Sequence, residues 1–432
     1  MSDDPRKRSA RAVVAASGGD ADTDVRAGPA PGDLAERQAP APKRIERDLR
    51  LDACRGIALW CVFVDHMPVN VLSWLTPRNF GFSDTTEIFV FVSGATCALA
   101  YGASARRHGW GNVVARTLRR SFEIYIAFVM VVLACTVLAF YAGEQFLNDS
   151  NTHIVLDQPG PALAHALIMQ YRPANTDILP TFVLFHVMVA PLLFALRRVP
   201  NATLAASVLL YVLTHRFDWN VPQWPVNTWY FNPFAWQLLF VFGAWWASYG
   251  GARLWPLIRS HVPVLSIAYV IFSFIVVLGW TVGPLENLVP NAIARLIYPV
   301  DKSGLDPLRL LHFLAMAALA AHYVPRDWLG FGHRGPGWRD APPGAPVSLA
   351  GELRRRVVTP VMRAAIRCGE NSLSIYCFSV PLSLAGYFIL ATVSDSLVMQ
   401  VCVGLAGIGI LIAVASALAW VRIQSRQQPG LF

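Results

Sequence analysis

Two residues in the first long apolar run are placed to do acid–base chemistry. Arg55 and His66 lie eleven residues apart in the segment RDLRLDACRGIALWCVFVDHMP. In an α-helix that spacing is about three turns plus 20°, so both side chains share one face, about 16 Å apart along the axis. A histidine titrates near neutral pH and is the usual base for a hydroxyl proton. Ionisable groups inside an apolar span are costly and usually functional; the alternative is a histidine satisfied near the outer interface. Asp52 lies one turn before Arg55 and can pair with it. Asp65 points about 100° away from His66 and suits a helix–helix hydrogen bond as well as catalysis. A basic group, Arg116, Arg119 and Arg120, follows the second apolar run. Guanidinium groups bind phosphate through paired hydrogen bonds, although the same charges would flank any membrane helix.

The elements that must hold these residues are membrane helices. Of 432 residues, 55% are hydrophobic and 15% charged, with mean hydropathy +0.43, against about 25% charged in soluble domains. The apolar residues come in runs able to cross about 30 Å of hydrocarbon. Spans are expected at 51–69, 85–103, 121–142, 178–196, 202–215, 233–249, 262–282, 308–324, 372–393 and 398–421. The fold class is therefore all-α, a polytopic transmembrane bundle of about ten helices. Of the 36 Lys and Arg, only Arg78, Arg172, Arg216, Arg295, Lys302 and Arg309 then fall in non-cytoplasmic segments or at their edges, with Arg55 inside a span. That asymmetry places both termini in the cytoplasm.

Residues 1–47, rich in Ala, Pro, Gly, Arg and Asp, predict a disordered cytoplasmic tail with no signal-peptide core. Residues 48–424 form the membrane domain, with a long cytoplasmic loop at 325–370, and 425–432 a second cytoplasmic tail. The seven Cys show no CxxC pair and no His at metal spacing, so they read as apolar filler and no metal site is expected. The net charge of +9 sits in short loops between spans, which argues against nucleic acid as a partner. The outer segments 143–177, 215–232 and 283–307 carry Trp224, Trp229 and Tyr230. These suit an interfacial belt, and flat aromatic faces also suit sugar rings. Asn371 and Ser372 read as a helix start, with capping as the role of Asn371.

The chain also resembles a known family. Arg55-x10-His66 matches the signature of the acyltransferase-3 superfamily of membrane acyltransferases. The blocks RDLRLDxxRGxAL, DHMPxNVLSWLTxRNFGFSDxxEIFVFVSG, RPANTDILPTFVLFH, FNPFAWQLLFVFGAW, DKSGLDPLRLLHFLA and CGENSLSIYCF resemble the OpgC family, associated with succinylation of osmoregulated periplasmic glucans. The likeness covers about residues 47–390. It implies a multi-pass protein of the bacterial inner membrane, with His66 as the essential histidine and Arg55 as its paired arginine. It implies that Arg116 and Arg119 stand where an RxxR pattern serves the acyl-CoA donor, although the Arg-Ile-Tyr-Pro continuation is replaced by Glu123-Ile124-Tyr125-Ile126. Glu87 and Ser93 fall in the polar helix EIFVFVSG.

The resemblance implies acyl transfer from succinyl-CoA, a donor substrate rather than a bound cofactor, to a periplasmic glucan. Asp177, His186, Asp301, Lys302 and Asp306 are candidates to line an acceptor groove, with helix caps and loop salt bridges as the alternative. Arg78, Arg172, Lys302 and Arg309 are candidates to hold the succinyl carboxylate. Acetyl in place of succinyl transfer stays open. So does a transporter or flippase for a saccharide, which would call for charges or broken helices near the midplane in matching halves of the chain. A sensor or scaffold without chemistry would leave the Arg55–His66 face without a purpose.

Overall fold

The computed structural model describes residues 48–427, apart from 69, 143–152, 174, 261, 283, 286–289, 291–294, 296 and 325–353. The expected tail at 1–47, most of the expected 325–370 loop and the last five residues lie outside the described residues.

Helix α1 spans Leu49–Asp65; the Asp48 carboxylate caps it by accepting from the Arg50 amide, and His66 is its C-cap. The loop that follows makes two short 3₁₀ turns, Val71–Leu75 and Pro77–Asn79. Helix α2, Thr85–Ala142, is two limbs broken at Gly109. The break has φ 78°, which a residue without a Cβ adopts at little cost. The stretch 104–120 is thus helical on both sides of Gly109 instead of the expected loop, and Arg116, Arg119 and Arg120 ride on the second limb. Short helices α3 (His153–Asp157) and α4 (Pro159–Leu167) precede α5 (Ile178–Arg198) and α6 (Pro200–Phe217). A small hairpin, β1 (Pro222–Gln223) against β2 (Asn227–Thr228), sets Gln223 opposite Asn227. Helix α7 (Pro233–Trp245) continues through a π turn into α8 (Gly251–Ser260), followed by α9 (Val262–Thr281) and α10 (Pro307–Tyr323). Beyond 353 come α11 (Thr359–Glu370), α12 (Ser372–Thr392) and α13 (Leu397–Gln427). The end of the expected 325–370 loop is therefore helical.

Among the described residues, five helical stretches are long and apolar enough to cross a membrane: Thr85–Tyr141, Ile178–Arg198, Val262–Thr281, Ser372–Thr392 and Leu397–Gln424. Helix α2 packs chiefly on α5 and α7, and α1 on α11. Both main crossings depend on glycine. A methyl group on Gly94 would stand 2.0 Å from the Phe240 carbonyl oxygen, and one on Gly369 would stand 1.9 Å from that of Asp52. Small residues let helix backbones approach where lipid offers no hydrophobic drive between helices.

One end of the bundle gathers the polar turns. The Asn232 amide donates to the Ser303 carbonyl at 3.2 Å, and Tyr211 Oη donates to the Leu305 carbonyl at 2.7 Å. These bonds join the turn before α10 to the start of α7 and to α6. At the other end, Arg50 donates to the Val324 carbonyl at 3.0 Å, and Arg422 donates to Asn371 Oδ1 at 2.6 Å. Polar contacts thus tie turns and helix ends together at each end of the bundle. Asn371 sits at the start of α12 without a capping bond from its side chain. Its amide instead donates to the Arg367 carbonyl at 2.9 Å, so it ties α11, α12 and α13 together.

Candidate functional site

The site begins at the start of α2 with a reciprocal cap. Asp84 Oδ1 accepts from the Thr86 amide at 2.7 Å, and Glu87 Oε2 accepts from the Asp84 amide at 2.9 Å. This is a capping box with Asp in the N-cap position. The remaining carboxylate oxygens bind cations. Arg309 Nε donates to Glu87 Oε1 at 2.8 Å, and its Nη2 reaches Asp84 Oδ2 at 3.1 Å. Lys302 Nζ stands 2.5 Å from the same Asp84 oxygen. Two carboxylates and two cations thus form one buried, charge-balanced cluster joining α2, α10 and the turn before α10. Burial works against a charged Asp84, but Lys302 and Arg309 overcome it and hold its carboxyl well below the usual range. Burial likewise opposes the Lys302 charge, and Asp84, Tyr230 and Glu87 more than offset it, so its pKa is raised. Below the cluster, His312 Nδ1 lies 2.7 Å from Ser83 Oγ and fastens the end of the 66–84 loop to α10.

His66 stands at the rim of this cluster. It is half-buried, and its Nδ1 is closed to solvent with no hydrogen-bond partner among the described residues. Lys302, Asp84 and Arg78 lie near enough to act on it electrostatically. Asp65 next to it accepts from Thr76 Oγ1 at 2.7 Å, and Arg78 stands 4.0 Å from its carboxylate. Arg55, deeper on α1, donates to Thr96 Oγ1 at 2.5 Å and Ser93 Oγ at 3.4 Å on α2. Asp52 is buried where α1 meets α11.

Beside Lys302 opens a cavity of about 330 Å³. Arg172, Asp177 and Ser303 line it together with Gln223, Asn227, Thr228 and Tyr230 of the hairpin region. Arg172 Nε lies 3.4 Å from Asp177 Oδ1, its guanidinium covers the Trp229 ring at 4.7 Å, and its Nη2 donates to Gln223 Oε1. Burial pushes the Asp177 carboxyl up, with Arg172 opposing. Trp229 is buried under Arg172, which removes it from a lipid-facing belt, and Trp224 stacks on His165 with centroids 4.8 Å apart.

The structure thus brings His66, Asp65, Glu87, Asp177, Lys302 and Arg309 to one end of the bundle. Asp177 begins α5 without a side-chain cap, whereas Asp306 caps α10 by accepting from the Leu308 amide at 2.8 Å. His186 does not join them: it is buried within α5, its Nδ1 2.9 Å from the Phe182 carbonyl and its Nε2 3.8 Å from Cys97 Sγ. Arg116, Arg119 and Arg120 form a separate group near Gly109. Arg116 donates to Ser104 Oγ at 3.0 Å, and Arg119 and Arg120 both bind Glu123, at 3.1 and 3.0 Å. The sequence reading missed Asp84 as an individual residue, although Asp84-x-x-Glu87 ahead of an apolar run is the spacing of a capping box. It also missed Gln223, Asn227 and Thr228, which carry no local signal.

Long apolar helices with a polar site sunk into one end of their bundle mark a membrane protein. The chain belongs to the OpgC family, since the family described as OpgC protein matches residues 47–423. No curated protein and no solved structure matches it. Family membership suggests an acyltransferase.

Proposed function

We propose that this protein is a ten-helix inner-membrane O-acyltransferase that moves a succinyl group from cytoplasmic succinyl-CoA to hydroxyls of a periplasmic glucan. The observation that carries the reading is His66, a half-buried imidazole beside the Asp84–Lys302 pair at the polar end of a bundle otherwise packed with apolar side chains. His66 takes the proton of the glucan hydroxyl as its oxygen attacks the thioester carbonyl. A C–O bond forms, the C–S bond breaks, and coenzyme A leaves as a thiolate that receives the proton. Arg55, held by Ser93 and Thr96, lines the route of the acyl arm about 16 Å below His66. Arg116, Arg119 and Arg120 meet the coenzyme phosphates. Exposed ion pairs such as those to Glu123 are weak, so a phosphate can replace that carboxylate.

The succinyl carboxylate goes to Arg78. Lys302 and Arg309 are engaged by Asp84 and Glu87, and Arg172 lies beside Asp177. Arg78 is half-exposed, and 4.0 Å separates it from Asp65. The test uses membranes supplied with radiolabelled succinyl-CoA and glucan. Wild type labels the glucan, while His66→Ala, folded and inserted, loses at least about 100-fold in rate. A normal rate in His66→Ala refutes the base assignment. Uptake of unmodified glucan into vesicles without donor consumption would replace the enzyme by a transporter.

A further inference from the structure

We infer that the cavity between the β1–β2 hairpin and the Arg172–Asp177 pair is a binding site for a neutral saccharide, the acceptor's anchoring subsite; this rests on the acyltransferase reading. The lining divides into braced side chains and unbraced ones. Arg172, Asp177 and Gln223 are tied to one another, and the guanidinium lies over the Trp229 ring. The remaining side chains are left for a ligand: among the described residues, Asn227, Thr228 and Tyr230 are exposed and their side-chain polar groups make no hydrogen bond to the protein. An amide, a hydroxyl and a phenol in one cavity with braced polar groups match the alternating hydroxyls and apolar C–H face of a pyranose.

Charge selects the class of sugar. Arg172 and Asp177 offset each other, and Lys302 is offset by Asp84, so no net field favours an acidic or a basic saccharide. The volume suits a small ligand, since binding pockets begin at about 300 Å³. Position selects the role. Ser303 on the cavity wall is next in sequence to Lys302, whose charge acts on both Asp177 and His66. A sugar seated there extends its chain past Lys302 toward the imidazole.

Titration calorimetry of the full-length protein in detergent tests this with sophorose, laminaribiose and maltose, and with a uronic-acid disaccharide as the charged control. At least one neutral disaccharide binds, the charged control binds more weakly, and Asn227→Ala, Thr228→Ala and Tyr230→Ala each weaken binding by about tenfold, the size expected for one lost hydrogen bond to a desolvated group. These side chains are exposed and make no bond within the fold, so the variants fold. In the labelling assay the same variants raise KM for the glucan more than they lower kcat. Wild-type affinity in all three variants, or no binding of any neutral disaccharide together with an unchanged KM, overturns the proposal. His66→Ala separates the two readings: it keeps saccharide binding and loses transfer. A wild-type protein that binds saccharide but transfers no acyl group refutes the acyltransferase and leaves the subsite standing.

Discussion

At the scale of single residues, the polar end of the bundle divides its labour between groups that are tied down and groups that are not. Asp84, Glu87, Lys302 and Arg309 neutralise one another, whereas the half-buried His66 ring makes no side-chain hydrogen bond among the described residues and Arg78 is only weakly engaged. The tied group predicts a pH dependence of stability. The folded-state pKa of Asp84 is depressed, so its contribution is present above the unfolded value and lost as pH falls through the folded one. That of Lys302 is raised, so its contribution is present below its unfolded value and lost as pH rises through the folded one. The link therefore acts in full between about pH 4 and 10. Asp84→Asn lowers the melting temperature in detergent throughout that window, and the difference from wild type shrinks below it. Arg309→Ala costs more, about 3–5 kcal/mol, because it strips a buried Glu87 of its cation; denaturation in a mixed micelle measures it. Arg78→Gln shifts donor use from succinyl-CoA toward acetyl-CoA, read as the ratio of the two kcat/KM values. The spacing of Arg55 and His66 is legible in the sequence because one helix carries both. The Asp84–Lys302–Arg309 cluster is not, since it unites residues more than 200 positions apart and no local pattern encodes such a pairing.

At the scale of elements, helix crossings set the positions of the site residues. Gly94 and Gly243 on α2 and α7, and Gly56 and Gly369 on α1 and α11, face carbonyl oxygens directly across the interface. Gly369→Ala pushes α11 off α1 at the level of Asp52 and lowers thermal stability in detergent. Gly409→Ala, where nothing lies within 4 Å of an added Cβ, leaves the melting temperature nearly unchanged, since an exposed helical Gly→Ala change is neutral to mildly stabilising. Hydropathy reads the long apolar helices directly. It misreads 104–120 as a loop, because the charges of that stretch lower its hydropathy while the backbone stays helical on either side of Gly109. It also misreads 354–370, where α11 carries Arg363 and Arg367 yet buries Ala365, Ile366, Cys368 and Gly369; amphipathic helices lack the continuous apolar run that marks a span.

At the scale of the whole molecule, the bundle has two unlike ends. One holds the loop 66–84, the hairpin and the turn before α10; the other holds the start of α1, the end of α10 and the Asn371–Arg422 pair. The proposed topology puts the first end in the periplasm. In a background lacking native cysteines, Thr228→Cys then reacts with an impermeant maleimide on intact spheroplasts, and Arg422→Cys reacts only after permeabilisation. In the proposed mechanism one imidazole joins a donor from one compartment to an acceptor from the other. Proteoliposomes reconstituted in one orientation, with succinyl-CoA on the face bearing Arg116 and glucan on the face bearing His66, test this. Wild type transfers label across the bilayer, and His66→Ala, with the same fold and insertion, does not. Equal transfer by both proteins, or transfer only when donor and glucan share one face, rules out transfer through His66 across the bilayer.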